Sequence, residues 1–397
     1  MRRSSEQAGG RLRLAFVCAG DPKDVLTWSG TPLHMLDALA REFDVAPVIR
    51  KPWAPWFDLV RRGVRRLSRG AIDIYWWPLW TTLAASKTIA DITTSGCDAV
   101  VAVAITPICA ELVKHAPTIF VSDATLASMV DYNPRHKALA PWLKKKASAL
   151  ESACIQKASF SLFPSDWASR SAVNDHGGAP DRVVQIPWGA NLVAEQIVPP
   201  ESRPTGEWRL LFVGANWAGK GGDIALETVA EMRRRGHRVH LDVVGSRPPQ
   251  PTQVEGVTFH GFLDKNVPAD DERIKSLFAG AHVFFLPTQF DALGIVFAEA
   301  ASFALPAVSY RTGGVPSMVI DGETGVLLDE GAPPAAFADA LIDLLSDRRR
   351  YVQMAYAAHS LSRERLNWAA WAAAVRGEIE ARLGRESTDP PKAATQR

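Results

Sequence analysis

The sequence predicts an α/β chain built as two doubly wound, Rossmann-like domains. Two observations carry that expectation. Both halves alternate short apolar, β-branched runs with longer helical stretches, the rhythm of parallel sheets covered by helices. A single run rich in proline and polar residues, 197–206, interrupts the series, and 397 residues suit two cores better than one.

In the first half, 12–19, 45–49, 99–104, 118–122, 160–163 and 183–186 read as strands, with helices at 32–41 and 137–157. After the break a second series begins. Its strands are 209–213, 239–244, 257–260, 282–286, 307–310 and 325–328, with helices at 222–235, 271–278, 294–303 and 334–345. A final helical segment covers 368–383. The expected division is a disordered start (1–10), a first domain (11–196), a linker (197–207), a second domain (208–360), a last helix (361–384) and a disordered tail (385–397). Parallel sheets carry ligands at the C-terminal ends of their strands, so the chemistry is sought just past those ends.

Composition narrows the function classes. Hydrophobic residues make up 47% and charged residues 22%, a soluble globular balance. No apolar run reaches the ~18 residues that span a bilayer. The opening ten residues hold no apolar segment before Arg11 and do not read as a secretory signal. A net charge of +2 gives no reason to expect nucleic-acid binding. Cys18, Cys97, Cys109 and Cys154 lack CxxC spacing, so they read as buried thiols in a reducing compartment, not as a disulfide frame or zinc site. A cytoplasmic enzyme fits these facts.

The most informative stretch runs from Leu286 to Ala300. A strand ends, a polar loop follows, and a helix opens near Gly294. Helix starts present unpaired N–H groups and partial positive charge, which suit a pyrophosphate. Asp291 and Glu299 lie eight residues apart, and eight helical steps leave a rotation of roughly 80°, so both carboxylates can face one crevice. The bland alternative makes Asp291 a helix N-cap and Glu299 a structural carboxylate. Upstream, Leu211–Asp223 is again a strand, a glycine-rich turn and a helix start, holding Gly214 and Lys220. Lys220 is a point charge placed for a diphosphate.

The Asp291–Glu299 stretch resembles the E-x7-E motif of retaining GT-B glycosyltransferases, especially glycosyltransferase family 4. The resemblance covers nearly the whole chain and is strongest over 208–330. It implies a GT-B fold, two Rossmann-like domains facing across a cleft, with the final helix crossing back to the first. Glu299 matches the acid that binds the donor ribose. Asp291 takes the place of the acid that contacts the transferred sugar, one methylene shorter than the usual Glu. Ala292 and Leu293 stand where Gly-Phe is common, and together with Gly294 and Ile295 they are carried over as donor contacts. Lys220 matches the family's Lys-Gly segment but lacks its neighbouring Arg, which leaves room for another residue or a metal beside the diphosphate. Phe262, in a segment resembling the strand end beside the nucleotide base, joins the donor set, whereas His260 reads as packing. Thr312–Gly314 and Asp321–Leu327 resemble the TGG and DG-x-TG-x-L patterns, structural in role with the glycine loop near the donor.

In the first domain the loop Asp24–Pro32 resembles the glycine loop that approaches donor phosphates. Gly30 and Thr31 could hold an anion there or form an ordinary turn. Relatives place a His near Ser122–Thr125; here Asp123 is the nearest candidate, orienting a hydroxyl or capping a helix. The implied reaction is transfer of a hexose-type sugar from a UDP- or GDP-sugar to an acceptor hydroxyl with retention, in cell-surface polysaccharide or glycoconjugate synthesis. Asp291, Lys220 and Asp123 would be its catalytic residues, with no tightly bound cofactor and no required metal. A sugar-nucleotide epimerase, a phosphorylase or a non-catalytic homologue are the alternatives. The expected partners are the donor and a glycan, lipid-linked or small-molecule acceptor, with no nucleic acid. The basic amphipathic segment 56–69 could meet anionic lipid at the inner face of a membrane or be a solvated helix face. Trp76, Trp77 and Trp80 could stack on sugars or pack inside.

Overall fold

The computed structural model describes residues 11–383 apart from 26, 51, 52, 131 and 251–253. The stretches read as disordered ends, 1–10 and 385–397, lie outside the described residues. Strands β1 (Arg13–Cys18), β2 (Asp44–Arg50), β3 (Ala99–Val103), β4 (Thr118–Val121), β5 (Phe160–Phe163) and β6 (Val183–Gln185) form one parallel sheet in the order β2-β1-β3-β4-β5-β6. Strands β7 (Trp208–Val213), β8 (Val239–Val244), β9 (Val257–Gly261), β10 (Val283–Phe285), β11 (Ala307–Tyr310) and β12 (Gly325–Leu328) form a second, in the order β12-β11-β10-β7-β8-β9.

The helices of the first half are α1 (Thr31–Glu42), α2 (Pro55–Leu67), α3 (Pro78–Ala84), α4 (Ser86–Thr94), α5 (Thr106–Leu112), α6 (Leu126–Val130), α7 (Pro134–Lys137), α8 (Pro141–Lys157) and α9 (Asp166–Asn174). Those of the second half are α10 (Gly222–Arg234), α11 (Pro268–Gly280), α12 (Ile295–Ser302), α13 (Pro334–Ser346), α14 (Arg348–Glu364) and α15 (Trp368–Leu383). Among the described residues no helix is long and apolar enough to cross a membrane. The helix expected over 137–157 is broken before Pro141, whose missing N–H and fixed φ make it a first-turn residue.

Both faces of each sheet are covered, which is why its strands read as unbroken apolar runs. In β1, Leu14, Phe16 and Cys18 enter one buried cluster and Ala15 and Val17 another. The strand order reverses between β1 and β3 in the first sheet and between β7 and β10 in the second. Loops leaving strands at such a reversal part to opposite faces and open a crevice between them.

The halves are tied by specific contacts. The proline-rich junction is held by Arg203, buried with its guanidinium donating to the carbonyls of Phe303 and Ala304 at 2.8 and 3.0 Å and to Tyr351 Oη at 2.7 Å. Helix α15 packs on α1, with Arg376 paired to Glu42 at 2.8 Å. The Trp368 indole N–H donates to Asn191 Oδ1 at 3.1 Å.

One expectation is overturned. Cys109 on α5 and Cys154 on α8 are disulfide-bonded, their Cα atoms 6.0 Å apart, whereas Cys18 and Cys97 are free. Spacing along the chain could not reveal this, because the pair is made by the packing of α5 on α8. Cys18 is a buried thiol as expected, its pKa pushed up to about 11 by burial.

Candidate functional site

A cavity of about 450 Å³ opens where the second sheet reverses its order. The loop after β7 brings Gly214 and Lys220 to it, and the loop after β10 brings Asp291. Gly294, Ile295 and Glu299 reach it from the start of α12, and Phe262 from the end of β9. Gly294 is the N-cap of α12 with φ 77°, a left-handed conformation that glycine adopts without the strain a Cβ brings. The cap is thus the glycine and not Asp291. That carboxylate instead forms an ion pair with the Lys220 ammonium, which joins the loops of the two strands flanking the reversal.

Glu299 is buried and paired as well. Its Oε1 accepts from Lys265 Nζ at 2.8 Å. The cavity therefore holds two cations and two acids, each pair neutralised internally. A buried carboxylate without such a partner would be costly, so the pairing explains how both acids persist. Lys265 carried no motif signal, yet it brings a second cation to the cavity.

Not every residue carried over to the donor set reaches the cavity. Ala292 and Leu293 do not line it: their backbone packs on Gly314, where a Cβ would stand 2.1 Å from the Ala292 carbonyl oxygen, and the Leu293 side chain is buried. Gly30 and Thr31 also lie off it. Thr31 Oγ1 accepts from Asn191 Nδ2 at 3.0 Å, and Ser29 lines the cavity instead. The cause is local. Trp28, Ser29 and Gly30 have φ of 48°, 58° and 84°, so three successive left-handed residues turn the loop and change which one faces the crevice. Asn191 steadies that turn by donating to the Ser29 carbonyl at 2.8 Å. His260 Nε2 lies 2.7 Å from Asp242 Oδ1, within hydrogen-bond distance, and does not line the cavity.

Asp123 lies across the cleft in the first domain, where a second cavity of about 440 Å³ is lined by Trp53, Tyr75, Trp76, Thr106 and Glu151. Burial, with the Asp291 charge facing it, pushes the Asp123 carboxyl up to about 6 against hydrogen bonds from the Trp28 side chain and nearby backbone. Burial likewise pushes Glu151 up to about 8, so at neutral pH it is mostly protonated. Trp76 is buried on this wall, while Trp77 and Trp80 are exposed.

A tyrosine side chain spans the cleft. Tyr132, between α6 and α7, accepts a hydrogen bond from the Asp291 backbone N–H at 2.6 Å, and its hydroxyl lies 2.9 Å from Thr312 Oγ1. Gly313 makes room for it: with φ 50°, a Cβ there would stand 2.6 Å from the Tyr132 hydroxyl and 2.1 Å from the Asp291 carbonyl oxygen. The tyrosine hydroxyl is pushed up to about 12 by burial and stays neutral. Among the described residues no group of three or more His, Cys, Asp or Glu is placed to hold a metal ion.

Residues 207–347 match the family model described as glycosyl transferases group 1. The chain is 33% identical over 209 residues to a D-inositol 3-phosphate glycosyltransferase of Corynebacterium diphtheriae, covering 47% of this chain and 48% of that one. It is 33% identical over 161 residues to a GDP-mannose-dependent alpha-(1-6)-phosphatidylinositol monomannoside mannosyltransferase of Mycolicibacterium smegmatis, covering 38% and 41%. The chain thus spans about half the length, or less, of these curated relatives. The fold is similar to that of a sucrose-phosphate synthase from Thermosynechococcus elongatus, with TM-score 0.69, 17% identity, and 95% and 100% of the two chains covered. It is also similar to Anabaena HepE in complex with UDP-glucose, with TM-score 0.61, 15% identity, and 94% and 100% covered.

Tyr132→Phe removes the acceptor for the Asp291 N–H at a net cost of about 1 kcal/mol. Amide hydrogen exchange in the loop 288–294 should then quicken by roughly fivefold, with β7 and β10 unchanged. An unaltered loop would show that the tyrosine does not hold it.

Proposed function

We propose that this chain, which has the GT-B fold and whose residues 207–347 match the family model described as glycosyl transferases group 1, is a retaining glycosyltransferase. It moves a hexose-type sugar from a nucleoside-diphosphate donor to an acceptor hydroxyl in cell-surface polysaccharide or glycoconjugate synthesis. We place its work in the cytoplasm, at the inner face of a membrane, on a glycan, lipid-linked or small-molecule acceptor. The observation that carries the reading is the convergence of Lys220, Asp291, Lys265 and Glu299 on one cavity at the strand-order reversal.

The geometry supports an exchange of partners. An arriving diphosphate draws Lys220 from Asp291, which frees that acid to accept hydrogen bonds from the sugar. Glu299, held by Lys265, accepts from the ribose hydroxyls, and the backbone N–H groups at the start of α12 face the phosphates. The bond from the anomeric carbon to the β-phosphate oxygen breaks as the acceptor oxygen attacks the same face. Lys220 and the helix start stabilise the charge gathering on the departing diphosphate, which takes the acceptor proton. Asp123, opposite Asp291, orients a hydroxyl of sugar or acceptor. Closure of the cleft, with Tyr132 bridging it, keeps water from the reacting carbon.

A thermal-shift screen of nucleotide sugars, followed by turnover with candidate acceptors, tests the assignment. Anomeric configuration is read by NMR of the product. Lys220→Ala should lower kcat by about 10²–10³-fold. If Lys220→Ala and Asp291→Ala both turn over like the parent, the site is elsewhere. The pH profile offers an independent check. Asp123 is ionised above about 6, so the rate should fall as pH drops through that value. Asp123→Asn should erase that limb, and a limb that persists unchanged would remove Asp123 from the reaction.

A further inference from the structure

Helix α2 is mounted with its apolar side outward, the reverse of an ordinary surface helix. At ~100° per residue its thirteen residues divide into two faces. Phe57, Arg61, Val64 and Arg65 turn inward. Arg61 makes a bidentate pair with buried Asp73 at 2.7 and 3.0 Å, and Arg65 lies 3.3 Å from the same carboxylate. Asp58 is also drawn in, its Oδ1 accepting from the Trp53 indole N–H at 3.0 Å. Trp56, Leu59, Val60 and Leu67 are left on the outside, with Leu59 67% and Leu67 87% exposed. Two of the five arginines in the segment 56–69 are therefore committed to the interior.

The outward face continues across neighbouring helices. On α3, Leu79 is 72% and Leu83 61% exposed, and the Trp80 ring meets Trp56 with centroids 6.2 Å apart. Trp77, just before α3, meets Trp142 at the start of α8 at 6.2 Å, and Lys146 Nζ lies 5.3 Å above the Trp77 ring. Nine of the 14 large hydrophobic side chains exposed among the described residues gather on these three helices and the turn before α3. Arg62, Arg66 and Lys145 are exposed around them, and the outward sides of α2, α3 and the first two turns of α8 carry no carboxylate.

We propose that this face docks on a bilayer containing anionic lipid. Its chemistry fits an interface: tryptophans at headgroup depth, leucines below them, and arginine and lysine beside the phosphates. Charge complementarity favours a lipid surface over a second copy of the chain, which would bring the same cations together. The placement also serves the fold. The inward side of α2 contributes Asp58, Arg61 and Arg65 to the first-domain cavity beside Asp123, so one helix stands between the lipid surface and that cavity. This extends the membrane-side placement proposed above and does not depend on the donor chemistry.

The test is co-sedimentation of the full chain with vesicles of phosphatidylcholine alone and of phosphatidylcholine mixed with phosphatidylglycerol. UDP titration on the same samples reads the donor site separately. The parent should bind the mixed vesicles at least about tenfold better than the neutral ones, and high salt should weaken that binding. A Leu59→Asp, Leu79→Asp double variant should stay in the supernatant while keeping the parent's melting temperature and UDP affinity. Should that variant fold poorly, Arg66→Glu with Lys145→Glu, at exposed positions, should lose the preference for anionic vesicles. Three outcomes would overturn the proposal: a parent that ignores the mixed vesicles, variants that bind them like the parent, or a parent that dimerises through this face without taking up lipid.

Discussion

The ion pair between Lys220 and Asp291 is the interaction on which the site depends. It joins loops from β7 and β10, the adjacent strands where the sheet reverses its order, so backbone topology alone brings a cation and an acid together from 71 residues apart. Glu299 and Lys265 repeat the arrangement in the same cavity. A ligand-free pocket lined by two carboxylates would otherwise carry a heavy electrostatic cost. Internal pairing removes that cost and leaves each charge available to a ligand that offers a better partner.

The second constraint lies across the cleft. The first domain presents a turn with three left-handed residues, held by Asn191, which also accepts from Trp368 at the start of α15. The helix that packs on α1 and the loop that faces the donor cavity are thereby coupled through one amide side chain. Tyr132 closes the other side by capping the Asp291 N–H. Strain of this kind persists only where surrounding contacts over-determine it. Here those contacts come from both halves of the chain.

Much of this was legible in the sequence. Parallel strands buried on both faces read as continuous β-branched runs, so the strand expectations agree with the structure to within one or two residues, from β1 to β12. Asp291, Glu299 and Lys220, which line one cavity, were singled out because a strand, a turn and a helix start are local signals with fixed spacing. The residues that escaped act through long-range packing. Tyr132 meets Asp291 across 159 positions, and Lys265 meets Glu299 across 34. Nothing near either in sequence announces the partner. Ser29 replaced Thr31 at the cavity because positive φ at Trp28 and Ser29, unusual for such side chains, rotates the loop. Cys109 and Cys154 meet only once α5 packs on α8. The basic segment after Trp56 read as ambiguous because Asp73, which draws Arg61 and Arg65 inward, lies outside its periodic window.

Titration calorimetry of UDP against the parent and Asp291→Asn tests the partner exchange most directly. If Lys220 must leave Asp291 to hold the diphosphate, removing the acid's charge frees the lysine beforehand, and UDP should bind about tenfold more tightly even as sugar transfer is lost. Unchanged or weaker binding by the variant would contradict the account.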